Sequence, residues 1–179
     1  MELKPGEVDP LSKLSAAYAG LGDGDKALDF QRQYLGTNIT STDWADFAGI
    51  YIKMGDQVDS LDHAKAVGYY TQAMDVYEKM TEKFPTLKDW CWVAEASVAL
   101  GKLKDLDKVR DLYTKVAEYE EAKADKSDAN TKNYLSAAYY FLGYYYAGKN
   151  DAETSKSYFE KLIQIDPENA EAKKALGLE

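Results

Sequence analysis

The sequence predicts an all-α protein, a right-handed α-solenoid of antiparallel helix pairs. Apolar residues recur at three- and four-residue steps along almost the whole chain. Those stretches are separated by short turns rich in Gly, Asp and Asn, such as Gly22-Asp23-Gly24. The sequence contains no long period-two run bounded by hairpin turns, the pattern a β-protein needs. With 179 residues and 45% hydrophobic content, the chain can bury one sizeable core and is expected to form a single domain.

Pro10 opens a first short helix, with Asp9 as its expected N-cap. After Gly22-Asp23-Gly24 a second helix runs to about Leu35. A third spans about Thr42 to Met54 and is expected to stop at Gly55-Asp56. A long helix follows, from about Leu61 to Phe84, with Leu61, Ala64, Val67, Met74, Tyr77, Met80 and Phe84 on one face. It should be continuous, about 36 Å long and longer than its partner. Pro85 ends it, and Thr86 with Asp89 has the form of a capping box for the next helix. That helix should stop at Leu100-Gly101. Further helices are expected over Leu106–Lys123, Asn133–Ala147 and Ala152–Ile165, with Ala124 to Thr131 as a linker. Asp166-Pro167 opens a last short helix ending at Leu176.

The helices come in pairs that share a pattern. An aromatic or Leu is followed three residues on by an apolar and a small residue, then by Tyr. A small residue and an aromatic follow in the second helix, with a closing Pro. One set reads Tyr139, Leu142-Gly143, Tyr146, Ser155, Phe159, Leu162 and Pro167. Another reads Trp44, Phe47-Ala48, Tyr51, Ala73, Tyr77, Met80 and Pro85. Weaker sets begin at Leu11, with Leu14-Ser15 and Tyr18, and at Trp90, with Val93-Ala94. Ser15, Ala48, Ala94 and Gly143 are small where two helices must approach closely. Gln31 and Ser97 stand where aromatics belong.

This pattern resembles the tetratricopeptide (TPR) repeat. It yields four degenerate units, about 9–41, 42–87, 88–123 and 132–167, and a C-terminal helix over 167–177. Leu176-Gly177 echoes the start of a fifth unit, so the chain is expected to be part of a longer array. The resemblance implies a protein-interaction scaffold whose first helices line a groove for a partner peptide or helix. It places groove positions one and five residues after each first-helix aromatic position: Ser12 and Ala16, Ala45 and Gly49, Cys91 and Glu95, Tyr140 and Tyr144. The Lys and Asn with which chaperone-binding members hold a terminal carboxylate are absent from these positions. Small at one end and aromatic at the other, the groove suits an apolar or mildly basic segment.

Other chemistry is thin. A formal net charge of −9 without a dense Lys/Arg block argues against nucleic acid and anionic membrane surfaces. No apolar run is long enough to cross a bilayer, and Met1-Glu2-Leu3-Lys4-Pro5-Gly6 lacks the apolar core of a signal peptide. Cys91 is the one cysteine and His63 the one histidine, so no metal-ligand spacing arises and no cofactor is expected. Cys91 lies between Trp90 and Trp92 without a nucleophile's surroundings, and His63 reads as a polar residue at a helix start. An enzyme is therefore not expected. Gly20-Leu21-Gly22-Asp23-Gly24 follows no strand and lacks a Lys-Ser/Thr, so it is a turn rather than a phosphate loop. Asn38-Ile39-Thr40 matches a glycosylation sequon by form alone. Seven of the fifteen tyrosines fit packing positions. Of the rest, Tyr69, Tyr70 and Tyr145 read as packing, while Tyr140 and Tyr144 suit packing or recognition equally. The alternative to a protein-binding scaffold is a small-ligand or saccharide binder using Tyr140, Tyr144 and Trp92.

Overall fold

The computed structural model describes residues 9–35, 40–125 and 127–178. The Met1–Gly6 stretch and Asn38-Ile39 lie outside the described residues. The described residues contain nine α-helices and no strand. The chain divides into two compact units, Met1–Lys88 with Gly101–Leu103, and Asp89–Leu100 with Lys104–Glu179.

In the first unit α1 (Asp9–Leu21) begins with Pro10 in its first turn, where a missing N–H costs nothing. Gly22, at φ +80°, turns the chain into α2 (Gly24–Leu35). The two helices cross so closely that the buried Ser15 hydroxyl donates to the Ala27 carbonyl at 2.8 Å. Helix α3 (Ser41–Val58) is capped by Thr40: its hydroxyl accepts from the Asp43 N–H, and the Asp43 carboxylate accepts from the Thr40 N–H. Helix α3 does not stop at Gly55-Asp56. It continues to Val58 because Gly55 is a contact point and not a terminator. A Cβ there would meet Tyr70 Cε1 at 2.4 Å.

Helix α4 (His63–Lys83) is continuous, as expected, and at 21 residues is about 31 Å long. Its partner α3 has lengthened too, to 18 residues or about 27 Å, so the two run nearly side by side. The buried stripe of α4 begins with Ala66 and Tyr70 and runs through Ala73, Met74, Tyr77 and Met80. Leu61, expected on that face, precedes the helix and is 88% exposed, and Ala64 is exposed. The three-residue step from 64 to 67 turns back about 60° around a 3.6-residue helix, which carries Ala64 away from the buried face. Tyr70 is fully buried and donates to Asp56 Oδ1 at 2.8 Å.

A 3₁₀ turn, Pro85–Leu87, leads into α5 (Lys88–Val98). The expected Thr86–Asp89 capping box does not form: Thr86 lies inside that turn, and Asp89 pairs with Lys123 at 3.2 Å. Helix α5 also does not end at Gly101. A π-helical stretch, Ala99–Leu103, continues it and closes on Lys104 in the left-handed region. In the second unit α6 (Leu106–Glu121), α7 (Ala129–Gly148) and α8 (Ala152–Ile165) pack in sequence. Asp105, Asp128 and Asp151 supply their N-caps. The last helix, α9 (Ala170–Leu176), starts later than Pro167 because Asn169 is its N-cap. The core of this unit is Val116, Leu135, Ala138, Tyr139, Leu142, Phe159 and Leu162. Gly143 is required at the α7–α8 crossing, since a Cβ would meet the Phe159 ring at 2.8 Å.

Candidate functional site

In the first unit four of the expected groove residues share one cavity. Ser12 and Ala16 of α1 and Ala45 and Gly49 of α3 line a cavity of about 380 Å³ with Ile50 and Gln31. The residues are small, so the two first helices leave open space between them. A Cβ on Gly49 would meet nothing within 4 Å. Asp46 and Lys53 flank the cavity with opposite charges. Gln31, which stands where the repeat expects an aromatic, is 2% exposed and donates through Nε2 to the Asp43 carbonyl at 3.2 Å. Its amide thus closes the α2 side of the cavity, a role that only the departure from the repeat pattern could have signalled.

In the second unit the expected residues separate into two kinds. Cys91 and Glu95, anticipated as groove-facing and partly exposed, are both buried. Glu95 Oε1 is 2.8 Å from Lys108 Nζ, so its charge is answered from α6. Burial, with Asp89 and Glu95 adding negative charge nearby, pushes the Cys91 thiol up to about 11. A thiol held there is a poor nucleophile at neutral pH. The reason is local. Trp90 is 38% exposed while Trp92 packs edge-on against Tyr119, so α5 turns residues 91 and 95 inward.

Tyr140 and Tyr144 are 42% and 41% exposed, and their ring centroids lie 4.9 Å apart. Tyr144 also meets Phe159 edge-on and donates to Glu171 Oε2 on α9 at 2.8 Å. That hydrogen bond, before burial, pushes its hydroxyl up to about 12. Tyr139, one residue away, is buried, and its hydroxyl donates to Glu121 Oε1 at 2.6 Å. Lys161 bonds the same oxygen at 2.8 Å. Tyr139, Glu121 and Lys161 border a second cavity of about 560 Å³ with Lys132, Leu135 and Gln164. Its polar groups come from three helices and share no motif, so sequence reading did not find it.

His63 is exposed on α4 and its Nδ1 lies 2.6 Å from Asp59 Oδ1. Among the described residues no cluster of His, Cys, Asp and Glu could hold a metal ion, and no described helix is long and apolar enough to cross a membrane.

The tetratricopeptide-repeat family model matches residues 136–169, which hold Tyr139, Leu142-Gly143, Tyr146, Ser155, Phe159 and Pro167. The chain is similar to the C-terminal part of a TPR repeat-containing protein from Cytophaga hutchinsonii. The identity is 18% and the TM-score 0.60, over 94% of this chain and 60% of that one. This chain therefore spans less than two thirds of that structure's length. It is also similar to the TPR-like repeats of a kinesin light chain-type protein from Podosopora anserina, at 11% identity and TM-score 0.53, over 99% of this chain and 90% of that one. A third similar structure is MamA, at 18% identity and TM-score 0.50, over 96% and 79% of the two chains. At these identities the likeness is one of fold. No curated protein matches the sequence. Residues 136–169 match the tetratricopeptide-repeat pattern, and the chain shares the helical-repeat fold of solved tetratricopeptide-repeat proteins.

Proposed function

We propose that this chain is a protein-interaction module that seats a segment of another protein in the cavity between α1 and α3. The observation that carries the reading is the opening at Gly49, where small side chains leave about 380 Å³ unfilled between two first helices. Ser12, Ala16, Ala45 and Gly49 form the contact surface, and Asp46 and Lys53 set the register of the incoming segment. Tyr140 and Tyr144 offer a second contact surface in the other unit, with the large, stiff rings that interfaces favour. Cys91 and Glu95 are left out because they are buried.

Filling the opening tests the reading. A Cβ at Gly49 meets no atom within 4 Å and points into open space, so the Gly49→Leu variant is expected to stay folded by circular dichroism and thermal melting. Partner proteins recovered on the wild-type chain should be identified by mass spectrometry and their affinities measured for both chains. A loss of tenfold or more, about 1.4 kcal/mol, is expected for Gly49→Leu. Unchanged affinity for every partner would move the binding surface elsewhere. The small-ligand alternative is less well supported, because Trp92 packs on Tyr119 while Tyr144 packs on Phe159 and Tyr140.

A further inference from the structure

Tyrosine hydroxyls bonded to carboxylates recur in this molecule, and three of these pairs hold a cation. Tyr70 donates to Asp56, and Lys102 bonds the same oxygen at 2.5 Å while lying 5.6 Å from the Tyr70 ring centroid. Tyr145 donates to Asp107, and Lys149, 3.5 Å from that carboxylate, lies 5.2 Å from the Tyr145 centroid. Tyr139 donates to Glu121, and Lys161 bonds that oxygen while sitting 5.4 Å from the Tyr139 centroid and 5.6 Å from that of Tyr158. The arrangement has a simple cause. The carboxylate answers the ammonium charge, and the ring faces present the negative end of their quadrupole to it. A fourth pair, Tyr34 with Asp43, is bound up in the cap of α3.

The fifth pair is Tyr144 with Glu171, and it has the parts of the Lys161 site. Two tyrosine rings lie 4.9 Å apart at 57°, against 6.1 Å and 38° for Tyr139 and Tyr158, and a carboxylate accepts from one of them. Among the described residues no Lys or Arg lies over either ring or pairs with Glu171. Lys174, three residues beyond Glu171, is not paired with it, and Lys173 is paired with Glu168. Both tyrosines are about two-fifths exposed. We infer that Tyr140, Tyr144 and Glu171 form a receptor for a lysine or arginine side chain of a partner protein, which supplies the cation that the other three sites draw from this chain. The inference rests on the reading of the chain as a protein-interaction module and names the chemistry of its second contact surface. The charge balance of −9 favours such a partner.

Single side chains can test the receptor without a partner in hand. N-acetyl-lysine methylamide, N-acetyl-arginine methylamide and the apolar N-acetyl-norleucine methylamide are titrated into the full chain, with tyrosine ring signals followed by NMR. The cationic probes should shift the Tyr140 and Tyr144 signals saturably, with affinity falling as salt rises. Glu171→Gln should weaken them at least threefold, Tyr144→Leu should abolish the shift, and norleucine should leave the signals in place. Lys174→Ala should leave binding unchanged or tighten it. An equal response to norleucine, no response to the cations up to 0.1 M, or full binding by Glu171→Gln would overturn the inference. None of these outcomes depends on Gly49, so this receptor can fail while the cavity in the first unit stands, and the reverse.

Discussion

The same substitution at two glycines of one helix should move stability in opposite directions. Gly49 and Gly55 both lie inside α3, so Ala at either position gains about 1 kcal/mol of helix propensity. At Gly49 nothing opposes the gain, because the new Cβ meets no atom within 4 Å. At Gly55 the Cβ would sit 2.4 Å from Tyr70 Cε1, about 1 Å inside ordinary contact, and 2.8 Å from Cδ1 and Cζ. Tyr70 cannot step aside, since its ring is fully buried and its hydroxyl is bonded to Asp56. Overpacking of this kind costs about 1–3 kcal/mol or more, which cancels or exceeds the propensity gain. Gly49→Ala should therefore raise the midpoint of thermal melting by about 2–4 °C, and Gly55→Ala should leave it level or lower it by several degrees. Urea denaturation followed by circular dichroism should rank the three chains in the same order. Equal stabilisation by both variants would show that the α3–α4 contact is looser than described and that Gly55 is an ordinary helix position.

Four further outcomes are expected. Tyr139→Ala should cost about 3 kcal/mol or more because it empties a buried site and removes the hydroxyl bonded to Glu121, while Tyr144→Ala should cost far less; equal losses would place Tyr144 in the core. The Tyr144 hydroxyl, raised by its bond to Glu171, supports the fold fully below about pH 10 and loses that support as pH rises towards 12, so Tyr144→Phe should flatten the alkaline limb of a stability profile. Cys91 should resist thiol reagents at pH 8 until the chain opens, so its labelling rate should follow denaturant concentration; rapid labelling of the native protein would contradict its burial. Lys123→Met should cost about 3–5 kcal/mol by leaving the buried carboxylates of Asp89 and Glu120 unanswered, read by urea denaturation.

The helix pairing was readable because the positions that carry it are set by contact with the nearest neighbour in the chain. Tyr139, Leu142, Gly143 and Phe159 repeat at intervals that any helix pair must respect, and each is buried as the pattern requires. Helix ends were less readable. Gly55 and Gly101 look like terminators, yet one admits a ring and the other lies within a π-helical stretch. Thr40-x-x-Asp43 and Thr86-x-x-Asp89 have the same form, and only the first caps a helix, because Lys123, 34 residues beyond Asp89, draws the second carboxylate away. The candidate site divides along the same line. Small residues at 12, 16, 45 and 49 leave space whatever surrounds them. Whether residues 91 and 95 face outward depends on the rotation of α5, which Trp92 and Lys108 decide through contacts no local pattern records.

The hydroxyl at the α1–α2 crossing has a counterpart at the α7–α8 crossing that comes from the other helix. Ser15 reaches forward twelve residues to the Ala27 carbonyl, and Ser155 reaches back twelve to that of Gly143, at 2.9 Å. The two positions behave as one slot that accepts a single hydroxyl from either side. A consensus built column by column would score each as a tolerant small-residue site and could write serine into both. Chimeras expose the difference: joining α1 to α8 brings two hydroxyls to one crossing, and joining α7 to α2 brings none. Recombination of repeats would keep one hydroxyl per crossing only if each helix travelled with its own partner.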